Sequence, residues 1–223
     1  MSLTVVIGSH NRSHYLRKAI ESVLDADEVI VYDDCSTDDS VQVAREYPVT
    51  VVEGEEKCGS PLAAINYGIE HAESEWLFFL GDDDWLLPES IPTMKRCLDG
   101  DIMYGDIYLA QPDETIRMLW AYDDRPSDSQ GLIEFARDHK MNPIPMTGPF
   151  RLKWLRDKGL RYMRWETTVK AEDCRTFLEW AKHEPRFVRL PRPFVVYRQH
   201  EEQKSRVGRE EFLEELEAYF KGA

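Results

Sequence analysis

Residues 76–89 read Trp-Leu-Phe-Phe-Leu-Gly-Asp-Asp-Asp-Trp-Leu-Leu-Pro-Glu, an apolar run that is followed almost at once by three consecutive aspartates. The run at residues 76–80 is short, aromatic and uninterrupted, which predicts a buried strand. Asp82, Asp83 and Asp84 then stand where that strand ends. One aspartate would suffice to cap a following helix, and like charges held close together repel unless a cation lies among them. The stretch therefore predicts a buried strand with a metal site at its carboxyl end.

The chain before this stretch alternates between strand and helix patterns. Apolar runs at residues 4–7, 29–32 and 49–52 predict three more strands, and apolar residues at helical spacing lie between them. Ser60 and Pro61 are typical of the start of a helix. The order strand, helix, strand, helix, strand, helix, strand predicts right-handed βαβ units. The predicted fold class is therefore α/β, with a Rossmann-like, mostly parallel sheet flanked by helices.

The second half of the chain is less regular and predicts an elaboration of the same domain. A hairpin is predicted around residues 111–114, with arms at 102–110 and 115–120, and the proline-rich residues 141–150 predict a structured loop. The other predicted elements are helices at residues 131–139, 173–182 and 210–220 and strands at 187–190 and 194–198. The last helix is expected to dock on the domain through its apolar positions. We interpret residues 1–223 as a single domain.

The composition excludes several classes of protein. Of the 223 residues, 28 are Lys or Arg and 42 are Asp or Glu, and the formal net charge is −14. A protein that binds nucleic acid by releasing counterions needs a basic face, so nucleic acid is not expected as a partner. No apolar run reaches the roughly 18–20 residues of a membrane span, and no secretory leader is visible. We expect a cytoplasmic protein, with peripheral membrane contact still open.

Missing motifs narrow the chemistry further. The cysteines at positions 35, 58, 97 and 174 are far apart and lack Cys-x-x-Cys spacing. Reduced thiols are therefore expected, rather than a zinc cluster or a disulfide framework. Neither a G-x-x-x-x-G-K-[ST] loop nor a G-x-G-x-x-G turn follows the first predicted strand. This disfavours P-loop NTPases and Rossmann dehydrogenases.

Polar residues are predicted to meet at one edge of the sheet. The first strand ends in residues 8–12, the second in Asp33 and Asp34, and the fourth in residues 82–84. Ligands of parallel α/β sheets bind beyond the carboxyl ends of the strands, near a switch in strand order. Carboxylates without thiolates suit Mg²⁺ or Mn²⁺, and such ions typically take one or two carboxylates together with substrate phosphates. A divalent ion would thus allow this acidic cleft to accept a diphosphate.

Three segments, in this order and spacing, resemble the family 2 glycosyltransferases, which have the GT-A fold. They are residues 5–12 (Val-Val-Ile-Gly-Ser-His-Asn-Arg), residues 29–38 (Val-Ile-Val-Tyr-Asp-Asp-Cys-Ser-Thr-Asp) and residues 79–89 (Phe-Leu-Gly-Asp-Asp-Asp-Trp-Leu-Leu-Pro-Glu). Residues 171–173 (Ala-Glu-Asp) and 197–200 (Tyr-Arg-Gln-His) extend the match, which covers most of residues 3–205. The resemblance implies an inverting, metal-dependent glycosyltransferase that uses a nucleoside-diphosphate sugar, with residues 82–84 as its D-x-D motif.

The resemblance also implies roles for residues of the donor side. Asp34 would accept a hydrogen bond from the base, and Asp82 would lie near the ribose. The residues expected to contact the nucleotide are Gly8, Ser9, His10, Asn11, Arg12, Asp34 and Asp82. The residues expected to hold Mn²⁺ or Mg²⁺ on the diphosphate are Asp83, Asp84 and His200. Gly81 departs from the pattern, because many members have an aspartate there.

The catalytic base is expected in the pair Glu172-Asp173, at the start of a predicted helix. An inverting transfer needs a carboxylate that takes the proton of the acceptor hydroxyl while the oxygen attacks the anomeric carbon. The resemblance implies this role for Asp173, with Glu172 beside it. The alternative is that both acids only complement the helix N-terminus. Five aromatic residues are candidates for stacking on a sugar acceptor, with a place in the hydrophobic core as the alternative: Trp120, Tyr122, Trp154, Tyr162 and Trp165.

On this interpretation residues 1–100 bind the nucleotide sugar, residues 101–205 bind the acceptor, and residues 206–223 form a C-terminal helix. The expected donor is a UDP-sugar, with GDP and dTDP open, and the expected acceptor is a glycan or a lipid-linked molecule. One alternative is a sugar nucleotidyltransferase of the same fold, which normally has a glycine-rich basic loop after its first strand. The other is a non-catalytic carbohydrate-binding or scaffold module, against which the acidic turn and the Glu172-Asp173 pair argue.

Overall fold

Strands and helices alternate through the first eighty residues of the computed structural model, which describes residues 1–121, 127–144, 146–163, 172–201 and 209–222. The strands are β1 (Leu3–Ser9), β2 (Glu28–Asp33), β3 (Thr50–Glu53), β4 (Trp76–Gly81), β5 (Trp85–Leu86), β6 (Ile102–Tyr104), β7 (Ile107–Ala110), β8 (Ile116–Trp120), β9 (Phe150–Arg151), β10 (Phe187–Arg189) and β11 (Val195–Arg198). The helices are α1 (Ser13–Glu21), α2 (Ser40–Ala44), α3 (Leu62–His71), α4 (Ser90–Cys97), α5 (Ser129–His139), α6 (Leu152–Asp157), α7 (Glu172–Ala181) and α8 (Arg209–Gly222).

The main sheet has seven strands in the order β10-β6-β9-β4-β1-β2-β3. β1 lies at its centre and pairs in parallel with β2 and β4, so that Gly8 stands opposite both Tyr32 and Gly81. β9 runs antiparallel to its neighbours β4 and β6. The predicted α/β class and the mostly parallel sheet are therefore confirmed. Because β2 and β4 flank β1 on opposite sides, the strand order switches there, and ligands of parallel α/β sheets bind beyond the carboxyl ends of strands at such a switch.

A second sheet has the order β5-β11-β7-β8. The hairpin predicted around residues 111–114 is confirmed, since β7 and β8 pair antiparallel. Its first arm is shorter than predicted, because the run at 102–110 divides at Gly105 into β6 of the main sheet and β7 of the second sheet. Thr147 Oγ1 holds this break by accepting from Gly105 N at 3.2 Å and donating to Gly105 O at 2.8 Å. The chain therefore changes sheets where the sequence predicted one continuous strand.

Aromatic side chains fill much of the core between the main sheet and its helices. Trp76, Phe150 and Trp180 are at most 1% exposed, and the Phe150 and Trp180 rings meet edge to face at 5.2 Å. Two of the candidate sugar-stacking residues belong to this core: Tyr162 is buried, and Trp154 packs edge to face on Trp180. The candidate Trp120 is 42% exposed on β8. The remaining candidates, Tyr122 and Trp165, lie outside the described residues.

The last helix, α8, docks on the second half of the chain, as predicted. Its Leu216 is buried against Ala136 of α5 and against Cys174 and Leu178 of α7. Lys140, just after α5, adds an ion pair to Glu217 at 2.5 Å. Among the described helices, none combines the length and the apolar character that crossing a membrane requires.

Candidate functional site

The loops that follow β1, β2 and β4 are joined by hydrogen bonds at the carboxyl edge of the main sheet. The backbone N–H of His10 donates to Asp82 Oδ2 at 3.1 Å, and the backbone N–H of Asp34 donates to Ser9 O at 2.8 Å. His10 Nδ1 also lies 2.8 Å from Asp34 O. Three segments that the sequence predicted to meet at one edge are therefore in direct contact.

One carboxylate oxygen of the acidic turn receives two nitrogen atoms from distant parts of the chain. Arg12 Nη1 lies 2.5 Å from Asp83 Oδ2, and His200 Nε2 lies 2.9 Å from the same oxygen. The Arg12 guanidinium also donates to Asp82 Oδ1 at 3.1 Å. His200 is buried, whereas the Asp83 side chain keeps 13% of its surface exposed. Asp83 Oδ2 is therefore the point of the turn at which side chains from two distant segments meet.

Burial and the charge of Asp83 act on the other two aspartates of the turn. Burial raises the pKa of Asp82 to about 6, with help from the negative charge of Asp83 and against the Arg12 guanidinium. The same causes, burial first and the Asp83 charge second, raise the pKa of Asp84 well above its usual range. Asp84 Oδ1 accepts a hydrogen bond from Arg198 N at 3.0 Å. A cation bound at this turn would relieve the repulsion that these shifts record.

The side chains of the turn fit a divalent cation that takes part of its coordination from a substrate. In the part of the chain that the structure describes, no three His, Cys, Asp or Glu side chains surround one point as a complete ligand set. Asp83 and His200 nevertheless offer an oxygen and a nitrogen 2.9 Å apart, as two neighbouring ligands of one ion would be. Mg²⁺ and similar ions commonly take only one or two protein groups and complete their shell with phosphate oxygens and water.

Gly81 allows the acidic turn to fold back over the end of β4. A Cβ atom at this position would lie 2.8 Å from Asp83 Oδ1 and 3.4 Å from Asp84 Oδ2. Any side chain here would push the Asp83 carboxylate aside. The glycine at this position therefore suits the places that the carboxylates of Asp83 and Asp84 occupy.

Arg198 holds the acidic turn from the second sheet, a role that the sequence analysis did not assign. It is 2% exposed, and its Nε donates to Asp83 O at 2.9 Å. The guanidinium lies over the rings of Tyr15 at 4.4 Å and Trp85 at 4.7 Å, and it donates to Glu114 Oε1 at 3.1 Å. The signal in the sequence was an arginine directly after the apolar residues 194–197, because a charge that ends a buried strand needs fixed partners.

Asp34 is held by the loop between β3 and α3. Its Oδ1 accepts from Cys58 N at 2.6 Å and its Oδ2 from Gly59 N at 2.7 Å, and the residue is 7% exposed. Each carboxylate oxygen has a second lone pair, so this arrangement leaves acceptor capacity for a ligand. Asp34 therefore accepts N–H donors here, which is also the role predicted for it toward a base.

Asn11 connects the loop after β1 with the loop after β2. Its backbone φ is +52°, in the left-handed region that asparagine tolerates better than most residues. Asn11 Oδ1 accepts from Thr37 N at 2.7 Å and from Asp38 N at 3.3 Å, and Asn11 N donates to Ser36 Oγ at 2.9 Å. In this structure the asparagine shapes the loops that border the cleft.

Gly8 and Ser9 end the central strand under these loops. A Cβ at Gly8 would lie 3.2 Å from Ala64 Cβ and from Phe79 Cε2, so the strand passes close under α3. Ser9 is paired in register with Asp33, and both are buried. Among the described residues, Ser9 Oγ and Asp33 Oδ1 have no hydrogen-bond partner. Ordered water commonly satisfies such buried polar atoms.

The acid pair predicted to hold the base begins α7. Glu172 is buried, and Asp173 is half-buried. Asp173 Oδ1 accepts from Cys174 N at 2.8 Å, and Asp173 Oδ2 accepts from Asn142 Nδ2 at 2.6 Å. Burial raises the pKa of Asp173, and these hydrogen bonds lower it in part. No described hydrogen bond or ion pair joins Asp173 to the acidic turn, so the two groups of candidate residues are held separately.

The family to which the chain belongs follows from comparison with known proteins. The family model described as "Glycosyl transferase family 2" matches residues 4–178. This match covers far more than half of the chain, so the chain belongs to glycosyl transferase family 2, a family of glycosyltransferase enzymes. Its two sheets and helices form the GT-A fold, which is confirmed by the solved structures that it resembles.

Three similar proteins define the extent of the likeness. A curated relative from Haemophilus influenzae, called an uncharacterized glycosyltransferase, is 26% identical over 192 residues, which are 83% of this chain and 63% of that protein. Staphylococcus aureus TarS 1–349 in complex with UDP-GlcNAc superposes with a TM-score of 0.72 at 20% identity, over 93% of this chain and 61% of that one. A mannosyltransferase from Pyrobaculum calidifontis in complex with GDP-Man and Mn²⁺ gives 0.57 at 20% identity, over 87% and 56%. The chain thus spans less than two thirds of each of these proteins.

Proposed function

We propose that this chain transfers a sugar from a nucleoside-diphosphate sugar to a hydroxyl group of a glycan or lipid-linked acceptor, with the help of Mn²⁺ or Mg²⁺. The observation that carries the proposal is the convergence of Arg12 and His200 on Asp83 Oδ2, at the switch point of a parallel sheet. A diphosphate is anionic, and the net charge of −14 repels it. A cation held at this oxygen would therefore be the group that lets the cleft accept such a donor.

The donor would lie along the carboxyl edge of the main sheet. In this proposal Asp34 reads an N–H of the base, Asp82 faces the ribose, and residues 8–12 run beside the nucleotide. Uracil, thymine and guanine all present a ring N–H, and a UDP-sugar is the donor that we propose first. The UDP-GlcNAc bound to TarS and the GDP-Man bound to the mannosyltransferase support a nucleotide sugar as the donor class.

Asp83 and His200 would hold the divalent ion, with Asp84 beside them. The bound ion would neutralise charge on the departing diphosphate. In this proposal the Arg12 guanidinium would turn from Asp83 toward the phosphates, since a guanidinium binds phosphate as well as carboxylate. The Mn²⁺ in the complex of the Pyrobaculum calidifontis mannosyltransferase supports a divalent ion as the cofactor class.

Asp173 would act as the general base, with Glu172 beside it. Its carboxylate would take the proton of the acceptor hydroxyl while the hydroxyl oxygen attacks the anomeric carbon and the bond to the diphosphate breaks. A single displacement of this kind inverts the anomeric configuration. The raised pKa of Asp173 supports the role, because a more basic carboxylate is a better proton acceptor near neutral pH. We further propose one domain, with residues 1–100 on the donor, 101–205 on the acceptor and 206–223 as a terminal helix.

The test is a panel of donors, UDP-GlcNAc, UDP-glucose and GDP-mannose, with and without Mn²⁺, in which the released nucleotide is measured. We expect release from at least one donor, loss of release with EDTA, and recovery on adding Mn²⁺. The variant Asp83→Asn should lose the response to Mn²⁺, whereas the control Asp99→Asn, on an exposed ion pair with Arg186, should keep it.

Other outcomes would point to the alternatives. Nucleotide binding without turnover of any donor would favour a non-catalytic module, and heat protection by UDP, GDP or dTDP measures such binding directly. Formation of pyrophosphate from a nucleoside triphosphate and a sugar 1-phosphate would favour a nucleotidyltransferase. A product that keeps the donor's anomeric configuration in NMR would contradict the single displacement.

A further inference from the structure

Asn142 contacts the carboxylate that we propose as the base. Its Nδ2 donates to Asp173 Oδ2 at 2.6 Å. The residue lies in the proline-rich loop after α5, 31 positions before Asp173. A hydrogen bond from a neutral amide to a carboxylate is charge-assisted and is stronger than one between neutral groups.

The backbone around Asn142 is fixed on both sides. Lys140 ends α5 in the left-handed conformation, with a φ of +50°, which turns the chain sharply toward α7. Pro143 and the fully buried Ile144 then lie with Phe177 and Leu178 of α7 around one small apolar void. Asn142 is therefore presented to the first turn of α7 by a loop whose next two residues are packed against that helix.

The orientation of the Asn142 amide follows from the charge of its neighbour. If the amide were rotated by 180°, its oxygen would face the Asp173 carboxylate, which would be repulsive. In the described part of the chain, Asn142 Oδ1 is buried and has no hydrogen-bond partner. The described hydrogen bonding of this side chain is thus directed at Asp173 alone.

The two hydrogen bonds to Asp173 fix the plane of its carboxylate. Oδ1 accepts from the backbone of Cys174, within the same helix, and Oδ2 accepts from Asn142, on a different segment. The first bond alone would leave the carboxylate free to swing about that oxygen. With both bonds made, each oxygen keeps one lone pair, and the direction of that lone pair is defined.

We propose that Asn142 is a positioning residue for the glycosyl transfer: its Nδ2–H holds Asp173 Oδ2 so that the carboxylate meets the acceptor hydroxyl in a productive direction. The inference rests on the proposed function, because it takes Asp173 as the general base. It concerns the chemical step only, since Asn142 has no described contact with the residues proposed to bind the nucleotide.

The experiment compares Asn142→Ala and Asn142→Leu with the wild-type chain. Nucleotide release from UDP-GlcNAc, UDP-glucose and GDP-mannose is measured with Mn²⁺ and with water as the acceptor, and calorimetry measures UDP binding with Mn²⁺. We expect kcat to fall about 10- to 100-fold in both variants, the size of effect of a lost hydrogen bond to a charged group. The UDP affinity should stay within about twofold. Asn142→Leu keeps the approximate size and branching of the side chain but removes the donor without adding a charge, so it tests the hydrogen bond even if Asn142→Ala folds poorly.

Asn66 provides a matched structural control. Its amide also bridges distant segments, because Nδ2 donates to Tyr162 O at 3.0 Å and Oδ1 accepts from Tyr162 N at 2.8 Å. Asn66→Ala should lower the melting temperature and leave kcat of the folded protein within about threefold of wild type. A purely structural role for Asn142 would instead give its variants the behaviour of Asn66→Ala.

A double-mutant cycle separates this inference from the proposed function. In the Asp173→Asn background, Asn142→Ala should cause no further loss, because Asn142 acts through the base that is already removed. A full additional loss there, or wild-type kcat in both single variants of Asn142, would overturn the inference while an inactive Asp173→Asn still supports the proposed base. Near-normal turnover of Asp173→Asn would overturn the base assignment and the inference together. No release by the wild-type chain from any donor would overturn the proposed function itself.

Discussion

The carboxyl edge of the main sheet, where we propose that the donor binds, and the start of α7 hold their carboxylates in different ways. At the carboxyl edge of the sheet, Asp82 and Asp83 share the Arg12 guanidinium. Asp82 also accepts from His10 N in the same loop as Arg12, and Asp83 lies against His200 from the far end of the chain. At the start of α7, Asp173 is held by its own helix and by one side-chain amide. From this difference we expect that mutations will affect donor binding and the catalytic step differently. The proposed donor contacts are distributed over several loops that hydrogen bonds join, whereas the proposed general base is held by two hydrogen bonds.

The largest expected effect is on turnover, in Asp173→Asn. The substitution keeps size and polarity but cannot accept the proton of the acceptor, so kcat should fall roughly 10²- to 10⁴-fold. UDP affinity with Mn²⁺ should stay near wild type, because the proposed donor contacts are elsewhere. Steady-state kinetics and calorimetry check the two halves of this statement. Asp138→Asn, an exposed acid paired with Arg137, is the matched control and should be fully active.

If Asp173→Asn lost UDP affinity by the same factor as it lost kcat, donor binding and the catalytic step would not be separate. The carboxyl edge of the sheet and the start of α7 would then act as one site. Near-normal turnover would move the base to Glu172 or to another acid.

The next effect concerns the metal. Asp83→Ala removes the oxygen on which Arg12 and His200 converge, and Mn²⁺-dependent UDP binding should weaken by about 100-fold or more. The melting temperature should change little, since the side chain lies on a turn at the surface of the cleft. Titration calorimetry with Mn²⁺ and UDP measures the change. Unaltered Mn²⁺ affinity would remove Asp83 from the site.

A smaller effect is expected in Asp34→Ala, at the proposed pocket for the nucleotide base. Loss of a hydrogen bond to a buried charged acceptor typically costs about 1–3 kcal/mol, so UDP should bind roughly 5- to 150-fold more weakly. Pyrophosphate with Mn²⁺ lacks the base and should bind as it does to wild type. Equal weakening of UDP and pyrophosphate would show that Asp34 acts only by anchoring Cys58 and Gly59.

The pH dependence of turnover tests the environment of Asp173. Burial raises its pKa, and the base acts in its ionised form. Activity should therefore be complete above the raised pKa and fall about tenfold per pH unit below it, at a pH higher than the roughly 3.9 of an ordinary aspartate. A profile of kcat against pH locates the fall. An acid limb at or below the ordinary value would contradict a buried base.

The smallest effect is expected in Gly81→Ala. The new Cβ would approach Asp83 Oδ1 to 2.8 Å, and the carboxylate would have to rotate away. An off-rotamer side chain costs about 0.5–1.5 kcal/mol, so Mn²⁺ affinity should fall roughly 2- to 12-fold. Gly159→Ala serves as a control for metal affinity: its new Cβ meets nothing within 4 Å, and its φ of +64° should lower stability without changing Mn²⁺ affinity. Wild-type Mn²⁺ affinity in Gly81→Ala would show that the exact position of Asp83 is unimportant.

The two regions also differ in how far the sequence predicts them. β4 and the acidic turn were predictable because the signal is local: an apolar run and the acids that follow it are adjacent in the chain. The break at Gly105 depends on Thr147, and the hold on Asp173 depends on Asn142, 31 positions away. Arg198 reaches Asp84 across 114 positions. Periodicity describes an element and its two faces, but such pairings are decided by how elements pack, so neither Asn142 nor Arg198 could be assigned from pattern alone.

The central position of β1 has a consequence for how the chain folds. The contacts around Asp34, where we propose that the nucleotide base binds, join residues that are close in sequence, since Asp34 and Cys58 are 24 positions apart. The contact of His10 with Asp82 spans 72 positions, and that of His200 with Asp83 spans 117. Contacts that close longer loops form more slowly and, on the ribosome, must wait for the later segment to emerge. The proposed nucleotide pocket can thus take shape on a nascent chain well before His200 is made, and the proposed metal site is completed only once the second sheet has folded.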